Sequence, residues 1–159
     1  MAGERIVYTN PATARVTVVV PVPSAQAPGE SDGDFAARIA AQVVPEGVAH
    51  SIVDVGDLPR DRLFRNAWAL AGGAVSVDMP AARLLHMDKI RADRNAALEA
   101  LDVTFMRAVE AGDTDAQAAA ATETQALRDL PETFDLSSYA TPSDLNAAWP
   151  DGLPRSPEN

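Results

Sequence analysis

The residues closest in type and spacing to a working site are two histidines, His50 and His86, and the carboxylate runs SDGD (31–34) and GDTD (112–115). A histidine-based metal centre needs two or three such rings close together, with carboxylates beside them. His50 and His86 fall in different predicted elements, so neither is read as a ligand, and His86 reads as a polar position on a long helix. Carboxylates two apart also begin a calcium loop, but neither run continues with the further oxygen ligands and the bidentate glutamate such a loop requires. Both stand where helices begin, and capping together with the helix dipole accounts for them. No serine sits in a G-x-S-x-G elbow, and the sole lysine, Lys89, lies inside a predicted helix rather than after a glycine-rich loop. Asp88 and Asp93 interleave with Arg91 and Arg94 at the spacing of helical charge pairs, not of a general acid and base. The chain has no cysteine, which excludes a disulfide framework, a thiolate zinc site and a cysteine nucleophile. The expectation is a protein that is not an enzyme, with no catalytic residue, no metal and no cofactor.

Composition bounds what the chain can build. At 159 residues it is long enough for one modest core. Aromatic residues are 5% of it, and much of its 47% apolar share is alanine, which buries little area, so the core should be thin. The net charge is −10, and residues 111–159 carry nine acids against two bases. The only basic concentration, Arg83, Lys89, Arg91 and Arg94, alternates with Asp88 and Asp93 and reads as a solvated helix face, so no nucleic-acid partner is expected. The start, MAGERIVYTN, carries no secretory pattern, and no stretch approaches the roughly 18 apolar residues of a membrane helix, so membrane insertion is not expected either.

The elements follow from periodicity. RIVYT (5–9) and RVTVVV (15–20) are rich in β-branched residues around the turn-forming NPATA, which predicts a hairpin. A helix capped by Ser31 or Asp32 runs through DFAARIAAQVV, with Phe35, Ile39 and Val43 on one face, and a third strand follows at HSIVDV (50–55). Gly72 and Gly73 divide a second, smaller hairpin across which Trp68 packs on Val75 or Val77. From Pro80 to Gly112 neither glycine nor proline interrupts a helical pattern. Gly112 and Asp113 then stop that helix and cap a second one, DTDAQAAAATETQALRDL, ending before Pro131. So short a loop makes the two antiparallel, and the alanines of the second predict close approach. TPSD (141–144) caps a short last helix, and the tail DGLPRSPEN has so little to bury that a neighbouring chain is expected to hold it. The fold class is thus α+β: a small N-terminal antiparallel β/α unit (1–78), a long antiparallel helical hairpin (79–132), and a short C-terminal helix with an extended tail (133–159).

IRADRNAALEALD (90–102), followed at a distance by QALRDLPE (125–132), resembles the tail assembly chaperones of tailed bacteriophages. In that family an R-x-x-R-[ND]-x-x-L-x-x-x-D helix precedes a Y-R-Q-A-L-R-D-[LI]-P ending. The likeness covers about a quarter of the chain, residues 90–132. Where the family has tryptophan after the aspartate and a Trp/Tyr-Arg pair before Q-A-L-R-D, this chain has Val103 and Glu123-Thr124. The front part, RIVYTNPATARVTVVVP with IVDVGDLPRDRLFRNAW, is similar to small phage proteins encoded among tail and adhesion genes.

The resemblance implies a non-enzymatic virion structural protein of the tail or its fibre and host-adhesion apparatus, found in the virion and, during assembly, in the host bacterial cytoplasm. Its alternative is a transient tail or fibre assembly chaperone absent from the mature particle. The expected partners are other phage structural proteins and further copies of the chain, a trimer around the long helix being one arrangement. Leu98, Leu101, Phe105, Leu127, Leu130 and Trp149 are the residues expected to carry assembly. Arg91, Arg94, Asp102, Arg128 and Asp129 are expected to form ion pairs across the hairpin, each worth about 0–1 kcal/mol at a surface and so setting register more than stability.

Overall fold

Alternation along one strand organises the N-terminal part. In the computed structural model, which describes residues 3–60 and 62–157, Glu4–Thr9 (β1) runs antiparallel to Val16–Val19 (β2), with Val7 opposite Val18. Asn10 closes the turn, its side chain accepting from the Ala12 N–H and its carbonyl from the Ala14 N–H, with Ala14 at φ 55. His50–Asp54 (β3) pairs on the other side of β1, giving the order β2-β1-β3. Successive side chains of a strand point to opposite faces, so Ile6 and Val7, both fully buried, enter different clusters. Ile6 meets Ala36 and Ala40 of the helix Asp32–Val43 (α1). Val7 joins Val16, Leu58, Trp68 and Val75 beneath a second hairpin, Trp68–Ala71 (β4) and Ala74–Val77 (β5). The result is three layers: helix, three-stranded sheet, two-stranded sheet.

Local chemistry fits these elements. The Ser31 hydroxyl accepts from the Asp34 N–H at 3.1 Å and caps α1. The buried face of α1 is Phe35, Ala36 and Ala40 rather than the expected stripe through Val43, which is exposed; the two alanines, one turn apart, seat the helix on Ile6. Arg38 makes two bonds of 2.8 Å to the Glu30 carboxylate, tying the preceding loop to the helix and holding the Glu30 acid down to about 2. Gly72 and Gly73, at φ 58 and 85, supply the two positive values of a tight hairpin turn, and Trp68 stands opposite Val77.

The chain divides into two compact units, Met1–Ala82 and Arg83–Asn159, with the division one turn inside the 33-residue helix Met79–Ala111 (α2). Asp78 opens α2, its carboxylate accepting from the Ala81 N–H at 3.2 Å. Gly112 at φ 68 ends it, and the Asp113 side chain accepts from the Ala116 N–H at 2.9 Å to start Thr114–Thr133 (α3). A last short helix, Pro142–Ala147 (α4), is capped reciprocally: Thr141 accepts from the Asp144 N–H and donates to its carboxylate at 2.7 Å. The α+β order of a small antiparallel β/α unit, two long helices and a short third one is as the sequence predicts.

Four particulars of the second unit differ from expectation. The helix α3 continues through Pro131 for most of a turn; proline removes one N–H, yet its φ is helical, and Phe134 still donates to the Leu130 carbonyl at 2.9 Å. The backbones of α2 and α3 come within 8 Å at hardly any position, although Ala108 and Ala120 are buried as the expected close approach requires. The expected cross-hairpin ion pairs do not form among the described residues. Arg91 pairs with Asp88 of its own helix at 2.9 Å, Arg94 donates to Asn95, and Asp129 accepts from Gln125. Finally, the tail is held by its own unit: Leu136, Leu145, Ala148, Pro150 and Leu153 are buried, so residues beyond 133 belong with the helices; residues 158 and 159 lie outside the described ones.

Candidate assembly surface

The six residues expected to carry assembly separate into three groups. Leu98, Leu101, Leu127 and Leu130 are half-buried, on the stripes that α2 and α3 turn inward. Near the turn the two helices are joined by the Gln117 amide, which donates to the Ala108 carbonyl at 3.3 Å. Phe105 is 38% exposed and remains open at the edge of the stripe.

Trp149 does something else. Its indole N–H donates to the Leu153 carbonyl at 3.0 Å, its ring meets His86 edge-on with centroids 5.7 Å apart, and the Arg155 guanidinium lies 4.6 Å above its face. It is therefore the hinge pin of an internal clasp. His86, the polar position on the long helix, is wholly buried, and its Nε2–H donates to the Ala148 carbonyl at 2.7 Å, since a carbonyl can only accept. Burial pushes the imidazole below its ordinary pKa, the Ala148 bond opposes that, and the positive charges of Arg155 and Lys89 add to it. The clasp is completed by Arg155 donating to the Asn146 carbonyl and side chain, by the Ser156 N–H donating to Asp93 at 2.8 Å, and by Arg83 donating to the Tyr139 carbonyl at 3.0 Å. A lone histidine at helical spacing gives no hint in the sequence that the carbonyl 62 residues later is its partner.

At the other end of α2 the cover stops. Val103 is 50%, Met106 57% and Val109 44% exposed. With Phe105 they succeed one another at three- and four-residue spacing, so they form one patch over less than two turns. Glu99, Asp102 and Glu110 share that side of the helix, each four residues from Val103 or Met106, and none of the three makes an ion pair among the described residues. Val103 and Met106 escaped the sequence reading because they lie off the inward stripe through Leu98, Leu101 and Phe105. The signal that finds them is a surplus: apolar residues recur too often between 98 and 109 for one covered face.

Chemically, this arrangement can grip an apolar surface and repel an anionic one. Among the described residues no cluster of three His, Asp or Glu side chains comes together to hold a metal ion, and no helix is long and apolar enough to cross a membrane. No protein-family model, no curated protein and no solved structure matches the chain.

Proposed function

We propose that the chain is a non-enzymatic structural protein of a tailed-phage particle, of the tail or its fibre and host-adhesion apparatus, assembling through its helical hairpin with other structural proteins of the particle. The observation that carries this reading is the bare apolar patch of Phe105, Met106 and Val109 on a hairpin whose residues 90–132 resemble the phage tail assembly chaperones. Large apolar side chains left in water at consecutive turns of a helix are the mark of a surface that meets another protein. The long helix and its turn project that surface, and the clasp at the opposite end leaves it free.

Mass spectrometry of purified particles tests the proposal. Stoichiometric copies are the expected result. Abundance in infected-cell lysate with absence from the particle overturns the structural role in favour of the transient chaperone, and absence from both overturns the phage reading.

A further inference from the structure

The charge around the bare patch says what kind of partner it takes. On a helical projection Phe105, Val109, Asp102, Met106, Glu99, Glu110 and Val103 occupy one continuous arc, less than half of the circumference. The apolar side chains are therefore not merely bordered by acid but interleaved with it. Arg107, on the arc's far flank, is the only base between residues 95 and 127, against Glu99, Asp102, Glu110, Asp113, Asp115 and Glu123.

Area and sign together exclude the other occupants. The fractional exposures of Val103, Phe105, Met106 and Val109 correspond to an apolar patch on the order of 300 Å², against the roughly 450 Å² of apolar area per partner in a standard interface. Two copies meeting here would set Glu99, Asp102 and Glu110 against the same carboxylates of the neighbour, a like-charge contact that opposes association. An anionic lipid surface or a nucleic-acid backbone meets the same repulsion. A slender segment remains, narrow enough for the patch and opposite in charge. We infer that the exposed arc of α2 between Glu99 and Glu110 docks a basic amphipathic helix of a different protein. The partner's apolar side chains cover Phe105, Met106 and Val109, and its lysines or arginines lie against Glu99, Asp102 and Glu110. This rests on the hairpin being the assembly element, and it names the partner's chemistry.

The full chain is titrated with two synthetic amphipathic helices of about 18 residues, leucine on one face and either lysine or glutamate on the other. The lysine peptide is expected to bind, weakening several-fold as salt rises past about 0.15 M, and the glutamate peptide to show no binding. The double variant Met106→Ser, Val109→Ser should weaken the lysine peptide by about tenfold or more. The charge-reversed variant Glu99→Lys, Asp102→Lys should exchange the preference, losing the lysine peptide and gaining the glutamate one. All four positions are outward-facing, and circular dichroism confirms that each variant keeps its helices. Any one of three results overturns the inference: equal binding of both peptides or of neither by the natural chain, unchanged lysine-peptide binding by the serine variant, or a dimer in solution that the serine variant dissolves. The outcome is independent of the particle test. A chain that passes the peptide exchange but is absent from particles and lysate keeps this inference and loses the phage reading; stoichiometric copies in the particle with no peptide preference do the reverse.

Discussion

The two ends of the second unit use one helix in opposite ways. Around Ile90 one face of α2 is covered: Ile90, His86 and Leu145 are fully buried, and Asp93, Ala148 and Leu153 nearly so, while Leu84 on another face is 67% exposed. Around Met106 it carries side chains as large, and they stand in water. Residues 83–94 are if anything the more charged of the two stretches, so hydrophobicity alone does not decide which end is covered. What differs is the supply of bulk from elsewhere. Residues 136–153 bring three leucines, a tryptophan and the buried Pro150 to one end, whereas α3 offers the other end mainly alanine. A helix in an alanine-rich protein is finished where some other segment can afford large side chains and is left open where none can.

The most severe way to break that contrast is at Leu145, which is wholly enclosed although it belongs to a helix of only six residues. Leu145→Ala removes buried methyl groups from a site that can collapse only in part, and it is expected to cost about 2–5 kcal/mol. Urea unfolding followed by circular dichroism reads the loss. If the cost is under about 1 kcal/mol, the C-terminal segment is a loose cover rather than half of the core, and the contrast between the ends disappears.

This segment also marks the limit of what the sequence discloses. Strand, hairpin and cap chemistry are local, so NPATA, Gly72-Gly73, Ser31 and Thr141 could be placed from their own neighbours, and the α+β order with them. The tail could not. DGLPRSPEN has little to bury by itself, and only its partners, Trp149 at the Leu153 carbonyl and Asp93 of α2 at the Ser156 N–H, show how residues 151–157 are held. The candidate surface was half legible for a related reason. Phe105 lies on the predicted stripe, while Met106 and Val103 become conspicuous only once it is known which side α3 covers and which it leaves bare. The expected ion pairs of Arg91 and Arg94 failed because spacing cannot say whether an arginine reaches across a hairpin or back along its own helix.

A gentler probe of the covered end is acidification. His86 has its pKa lowered in the fold, chiefly by burial, so between the folded value and the ordinary value of about 6.5 the unfolded chain binds the proton more readily than the folded one. Stability is therefore complete above about pH 6.5 and declines as the pH falls below it. The depressed carboxylates, Glu30 and Asp135, contribute in the opposite region: their share is present above the ordinary carboxylate range and is lost as pH falls through their lowered values, about 2 for Glu30. The interval from pH 7 to 5 thus isolates the histidine. Denaturation midpoints should fall across it by less than Leu145→Ala lowers them, and His86→Gln, which cannot take up a proton, should flatten the dependence. An equally steep profile in that variant would assign the acid sensitivity to another group and leave His86 a packing residue only.

The smallest expected effect discriminates most finely, because it concerns the end that has no cover. Met106 is 57% exposed, and on a helix surface methionine and serine differ mainly by a few tenths of a kcal/mol of helix propensity. Met106→Ser is therefore expected to change the stability of the isolated chain by no more than about 0.5 kcal/mol. A cost of about 2 kcal/mol or more would mean that Met106 is already packed, either under α3 or against a second copy, and sedimentation of the variant beside the natural chain separates those two causes. A near-zero change has the opposite meaning. A large side chain whose removal the fold does not notice contributes nothing to standing alone, and whatever it contributes must come on contact with another molecule.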